Sequence, residues 1–99
     1  MTLPPFWDLQ NFGERFRAWR GQESPPDDVR RAVGEWIASR YDDPYAGARH
    51  ELDAPLTNIW SCILPDTERD GCAVYCSFRI DEEDRTVTCD QLSTLSLPI

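Results

Sequence analysis

The sequence predicts an α+β fold in which an N-terminal helix hairpin packs on a small, mainly antiparallel sheet of three or four strands. Apolar residues recur at helical spacing between Leu9 and Tyr41, whereas short apolar runs of strand type follow from Ile59 onward. An acidic run at 81–84 separates the last two of these runs, as in a hairpin. With 99 residues and 40% hydrophobic content, we expect one core and a single domain over 1–99.

The first third of the chain predicts one short strand and one helix. Residues 3–6 form an opening strand, which Pro4 and Pro5 confine to a sheet edge. Asp8 is the expected N-cap of the first helix, and Gly21 marks its end after about three turns. The apolar residues that define this helix are Leu9, Phe12, Phe16 and Trp19.

A second amphipathic helix follows a linker at 22–26. Ser24 and Asp27 resemble a capping box, and Gly34 is expected to let the first helix approach closely. The two helices then form an antiparallel hairpin. The apolar stripe of the second helix is Val29, Ala32, Val33, Trp36, Ile37 and Tyr41.

The second half of the chain predicts the sheet. Pro44 and Gly47 end the helical region, and 48–52 form a short turn or strand. Strands are expected at 59–64, 72–80 and 85–92, with a polar loop at 65–71.

A four-residue turn at 81–84 fixes a register for the last two strands. It pairs Ile80 with Arg85, Phe78 with Val87, Cys76 with Cys89, and Val74 with Gln91. The thiols of Cys76 and Cys89 should therefore be in contact, close enough for a disulfide on oxidation. The opposite, partly wet face carries Ala73, Tyr75, Ser77, Arg79, Thr86, Thr88 and Asp90.

The charge and cysteine content narrow the function classes. Eighteen acids oppose ten arginines, giving a net charge of -8, so direct nucleic-acid binding is disfavoured for arginines scattered from Arg15 to Arg85. Cys72 and Cys76 would lie about 13 Å apart along a strand, too far for ligands of one zinc ion. We expect buried thiols and no metal or cofactor. Without a signal peptide or a long apolar run, the sequence predicts a cytoplasmic protein outside the membrane.

The order of these elements, with two motifs, resembles the RelE/ParE toxin superfamily across 29–95. The motifs are Leu52-Asp53-Ala54-Pro55-Leu56 before Ile59-Trp60, and Phe78-Arg79-Ile80-Asp81 before Arg85-Thr86-Val87. The resemblance implies a small antiparallel sheet packed on two helices. It also implies the toxin of a toxin–antitoxin pair, with the ribosome or DNA gyrase as target and a cognate antitoxin as partner.

The chain departs from the ribonuclease branch of that family at three places. Basic residues are expected after Trp60, where 61–64 are Ser-Cys-Ile-Leu, and an arginine is expected at Tyr75. The catalytic Tyr or His near the C-terminus has no counterpart in 93–99. The resemblance therefore predicts the fold better than it predicts RNA cleavage.

Three side chains are the candidate catalytic groups. His50 is the only histidine of the chain and follows Arg49, while Tyr75 and Arg79 share one face of a strand. A relocated ribonuclease face would combine Arg49, His50, Tyr75 and Arg79 around a phosphate. The alternative is an exposed histidine and an ordinary solvent-facing sheet.

Arg49 and three further residues are the candidate binding groups. Phe6 and Trp7 would anchor a protein partner if exposed, or cover the core if buried. Arg85 would bind a ligand or simply pair with the acidic turn. Three functions therefore stay open: a divergent toxin-fold protein that acts mainly by protein binding, a ribosome-dependent mRNA endoribonuclease, and a non-toxic structural or regulatory interaction protein.

Overall fold

The computed structural model describes residues 6–51 and 58–97. Two helices precede most of a five-stranded sheet, so the α+β class is confirmed, with five strands instead of three or four. The sheet order is β1-β5-β4-β3-β2, and every pairing is antiparallel except the parallel pair β1 and β5. The elements are β1 (Asp8–Gln10), α1 (Phe12–Glu23), α2 (Asp27–Ser39), β2 (Arg49–His50), β3 (Ile59–Ile63), β4 (Cys72–Asp81) and β5 (Thr86–Ser96).

The chain enters its first helix later than the sequence predicts. Asp8 and Leu9 belong to β1, where Leu9 pairs with Val87. The prediction that Asp8 is the N-cap of the first helix is therefore wrong. Asn11 is the N-cap and adopts a left-handed φ of 68°. The pairing with β5 holds these residues extended despite their helical spacing, because a distant strand overrides the local pattern. The predicted strand at 3–6 lies almost wholly outside the described residues.

The second helix begins where expected but without the predicted capping box. Pro26 is its N-cap, and Ser24 instead ends α1 in a left-handed conformation, donating its N–H to Arg20 O at 3.0 Å. Val29, Val33 and Trp36 are its buried residues, in agreement with the predicted stripe. Tyr41, the last residue of that stripe, lies beyond the helix and is 46% exposed.

Both helices contact the sheet, but Gly34 does not bring them close together. A Cβ atom placed on Gly34 would meet nothing within 4 Å, so the predicted close approach is wrong. The Trp19 Nε1–H of α1 donates to Thr94 Oγ1 of β5 at 3.0 Å. The Trp36 ring of α2 lies 5.7 Å from the Phe78 ring of β4, measured between centroids.

The β4–β5 register differs from the prediction by two residues next to the turn and by three residues beyond a bulge. Asp81 pairs with Thr86 and Phe78 with Cys89, so the turn consists of residues 82–85 and includes Arg85 at a left-handed φ of 53°. Asp90 is an extra residue on β5, and beyond this bulge Cys76 pairs with Leu92. A shift of two residues preserves the face of each side chain from the turn to Cys89, whereas the bulge moves Gln91, predicted opposite Val74, to the outer face.

One face of the sheet carries the core beneath the helices. Along β4 the even-numbered residues from Val74 to Ile80 are buried, as the alternation predicts. Ala73, predicted on the wet face, is also buried. The Cys76 and Cys89 sulfurs lie 3.7 Å apart, so their predicted contact is confirmed although they are not directly paired. No helix in the described ranges is long and apolar enough to cross a membrane.

Candidate functional site

The three candidate catalytic residues lie on opposite faces of the sheet. His50 pairs with Trp60, which in turn pairs with the fully buried Phe78, so this row belongs to the helix-covered face. Tyr75 and Arg79 alternate with the buried residues of β4 and belong to the outer face. The strands therefore do not bring His50 together with Tyr75 and Arg79.

His50 lies at the end of a row of aromatic side chains. Its ring stacks on Trp60, with centroids 4.5 Å apart and planes 13° apart. The Tyr45 ring forms T-shaped pairs with Trp60 and with Trp7, with centroids 5.0 Å and 6.1 Å apart. We call His50, Trp60, Tyr45 and Trp7 the aromatic row. Stacking covers one face of the imidazole and fixes its orientation.

Trp7 and Arg85, two candidate binding residues, meet at the other end of this row. The Arg85 guanidinium carbon lies 4.4 Å from the Trp7 ring centroid, in a cation–π arrangement. The Arg85 carbonyl also accepts the Asp8 N–H at 2.9 Å. Trp7 is only 6% exposed, so the prediction of an exposed binding pair is wrong for this residue. Phe6, the other member of that pair, is 54% exposed. Arg85 forms no ion pair with the acidic turn, whose residues the structure describes.

The outer face brings Arg49 and Tyr75 to one open pocket of about 360 Å³. Glu51 and Ser61 also line it, and the Ser61 hydroxyl donates to Glu51 Oε1. Arg79 is held elsewhere on this face by Asp90, at 3.1 Å from Nε to Oδ1. A serine bonded to a carboxylate lacks the imidazole that takes the hydroxyl proton in a catalytic triad. Arg49 and Tyr75 therefore converge in a pocket whose acidic group is Glu51 and which the His50 imidazole does not line.

A larger cavity, of about 540 Å³, lies between the two helices. An adjoining cavity of about 330 Å³ shares Arg20 and Arg30 with it and adds Arg17. We call this surface the arginine groove, defined by Arg17, Arg20, Arg30 and Arg31. The floor and rim also include Phe16, Asp27, Gly34, Glu35 and Ala38.

The arginine groove is a positive surface on a chain whose net charge is -8. Arg30 pairs with Asp27, but Arg17 and Arg31 take part in no ion pair among the residues the structure describes. Arg20 instead lies over the Phe16 ring, 5.6 Å from its centroid. Sequence reasoning missed this surface because it considered the arginines only as a scatter along the chain. The available signal was their position on the polar sides of two consecutive helices.

Neither a metal centre nor a known relative defines the site. Within residues 6–51 and 58–97, no group of three or more His, Cys, Asp or Glu side chains is placed to hold a metal ion. Comparison with protein-family models, curated proteins and solved structures gives no match. Function is therefore inferred from the geometry and from the family resemblance of the sequence.

Proposed function

We propose that this chain is a divergent toxin-fold component of a toxin–antitoxin type module and acts mainly by binding a protein. Two helices packed on a mainly antiparallel sheet agree with the architecture that the RelE/ParE resemblance implies. The observation that carries the choice of binding over RNA cleavage is the position of His50, on the opposite sheet face from Tyr75 and Arg79. A base and its phosphate-binding cations must act on the same ribose and phosphate.

The arginine groove is the surface we assign to the partner. Its arginines favour an acidic segment, while Phe16, Gly34 and Ala38 offer apolar and small contacts between the charges. Such a combination suits an amphipathic helix that carries acids beside an apolar stripe. A cognate antitoxin with an acidic helix fits this description, and occupation of the groove would neutralise the positive surface.

The experiment is co-expression with the product of an adjacent small reading frame, followed by co-purification and growth measurement. We expect a stable complex and relief of any growth defect. Changing both Arg20 and Arg31 to Glu should weaken the complex by about tenfold or more, because two attractive charges become repulsive. Arg49→Glu is the matched control, since Arg49 lies on the outer face away from the groove.

Three results would contradict parts of this proposal. Codon-linked mRNA cleavage that disappears in His50→Ala or Arg79→Ala would identify a ribonuclease. Partner loss in Arg49→Glu alone would place the partner on the outer face. Complex formation without any effect of expression on growth would indicate a non-toxic interaction protein instead of a toxin.

A further inference from the structure

We infer that Cys76 and Cys89 form a peroxide-sensitive dithiol that closes to a disulfide across β4 and β5. Both cysteines are free, and both side chains are fully buried under the helices. Their sulfurs lie 3.7 Å apart, which is direct contact between two sulfur atoms. This inference is independent of the proposed binding function, because it concerns the core and not the arginine groove.

The bulge at Asp90 determines this contact. Cys89 pairs with Phe78 and Cys76 pairs with Leu92, so the two cysteines are diagonal neighbours on the same face. The extra residue sits between these two pairs and alters the local spacing of the strands. A disulfide requires a sulfur–sulfur distance of about 2.05 Å, so each sulfur needs to move by only about 1 Å. Because diagonal neighbours are farther apart than directly paired residues, closure also requires a local shift of the strands at the bulge.

The hydrogen bond between the thiols gives them different roles. Contact with Cys76 lowers the pKa of Cys89, whereas contact with Cys89, and then burial, raises the pKa of Cys76. Since the thiolate is the nucleophile, Cys89 is the residue that peroxide oxidises first. Cys76 keeps its proton and serves as the resolving thiol.

The reaction balances with hydrogen peroxide as the oxidant. The Cys89 thiolate attacks one peroxide oxygen, the O–O bond breaks, and hydroxide leaves, which takes up a proton to form water. The Cys76 sulfur then attacks the Cys89 sulfenic sulfur, so that the S–S bond forms and the S–O bond breaks. The hydroxyl leaves as a second water with the Cys76 proton. Two thiols are oxidised and one peroxide is reduced.

The other two cysteines are poorer partners for this reaction. Cys62 lies directly opposite Cys76 on β3, but burial raises the pKa of its thiol and its S–H donates to the Ile63 carbonyl at 3.3 Å. Cys72 is four residues from Cys76 along β4, a distance on the order of 13 Å. We therefore expect one specific bridge and two remaining thiols.

The test is oxidation of the full folded chain with hydrogen peroxide, followed by thiol counting and peptide mapping by mass spectrometry. We expect the free thiols to fall from four to two, a loss of two hydrogen atoms in mass, and one linked pair of peptides containing Cys76 and Cys89. The urea midpoint of unfolding should rise on oxidation and return with reductant, because the bridge restricts the unfolded chain.

Variants separate this bridge from other oxidation products. Cys89→Ser should abolish the bridge, whereas Cys72→Ser is the matched control and should retain it. A bridge through Cys62 or Cys72, four unreacted thiols, or sulfinic acid at Cys89 without a bridge would each overturn the inference. Mapping of the unaltered chain decides the question even where a core serine variant fails to fold.

Discussion

The Arg40 guanidinium carbon lies 4.4 Å from the centroid of the Trp36 ring, one turn earlier in the chain. Arg40 is 3% exposed and is the C-cap residue of α2. Its Nη1 donates to the carbonyls of Pro44 at 3.1 Å and Ala46 at 2.7 Å. Burial lowers the pKa of Arg40, because removing a cation from water costs free energy. The Trp36 ring and the two carbonyls offset that cost. Arg40 thus connects the end of α2 to the following turn.

Replacement of Arg40 should destabilise the fold without affecting the arginine groove. Arg40→Met removes the two hydrogen bonds from Nη1 and the cation–π contact, and it leaves the Pro44 and Ala46 carbonyls without this donor. We expect a loss of about 2–4 kcal/mol in the free energy of unfolding, measured by urea titration. Exposed Arg17→Met is the matched control and should change stability by less than about 0.5 kcal/mol. An equal effect of the two substitutions would contradict this structural role for Arg40.

Tyr45 should ionise at unusually high pH. Burial, and then the hydrogen bond and negative charge of Glu82, raise the pKa of Tyr45 from 10.0 to about 12. A raised pKa means that the fold favours the neutral phenol. Its contribution to stability is therefore present below pH 10.0 and is lost as the pH rises toward 12. Ultraviolet titration of tyrosinate absorbance measures this step.

Two variants test whether Tyr45 produces that step in the titration. Glu82→Gln should lower the pKa of Tyr45 by removing the carboxylate, although burial will continue to raise it. Tyr45→Phe should remove the high-pH step altogether. Persistence of the same step in Tyr45→Phe would show that another group produces it.

The Trp19–Thr94 hydrogen bond should contribute to the attachment of α1 to the sheet. Trp19 is 2% exposed, so Thr94→Val leaves its indole N–H buried without this acceptor. We expect Thr94→Val to lower the free energy of unfolding by about 1–3 kcal/mol. The same substitution should cost less in a Trp19→Phe background, where the hydrogen bond is already absent. Thr88→Val, on the outer face of β5, is the control. Equal losses in both backgrounds would show that the hydrogen bond is not responsible.

The Asp28–Arg69 ion pair should give a second pH dependence, at the acidic end. The hydrogen bond from Arg69 lowers the pKa of Asp28 below 3.8, so the pair stabilises the fold above that pH and less as the pH falls through the lowered pKa. Arg69→Met should raise the pKa of Asp28, as followed by NMR of its carboxyl carbon. Arg30→Met is the control, because Arg30 pairs with Asp27. High salt should reduce the difference, since both side chains are exposed.

Much of the fold follows from local patterns, and the errors occur where distant residues decide. The stripe of α2 and the positions of β3 and β4 were predictable because burial on one side imposes a period on the sequence. The turn was placed one residue early because Arg85 adopts a left-handed conformation that its residue type does not favour. The bulge at Asp90 did leave a signal that was not used, since the apolar residues of β5 at 87, 89 and 92 break the alternation after Cys89.

The site was less predictable than the fold. Exposure of Trp7 depends on Tyr45 and Arg85, which come from distant parts of the chain. Separation of His50 from Tyr75 depends on the pairing of β2 with β3, and two residues of β2 are too few to show a strand period. The arginine groove exists only once α1 and α2 are placed side by side. Each of these features requires the tertiary structure.

The parallel pairing of β1 with β5 also sets an order of assembly. Among the described strands, β1 pairs with β5 alone, and the ribosome makes β5 after both helices and the other strands. The β4–β5 hairpin closes a short loop and can form first, whereas β1 must wait for a long-range encounter. Until then the β1-facing edge of β5 is open to other strands, so a growing or slowly folding chain is most exposed to mispairing at that edge.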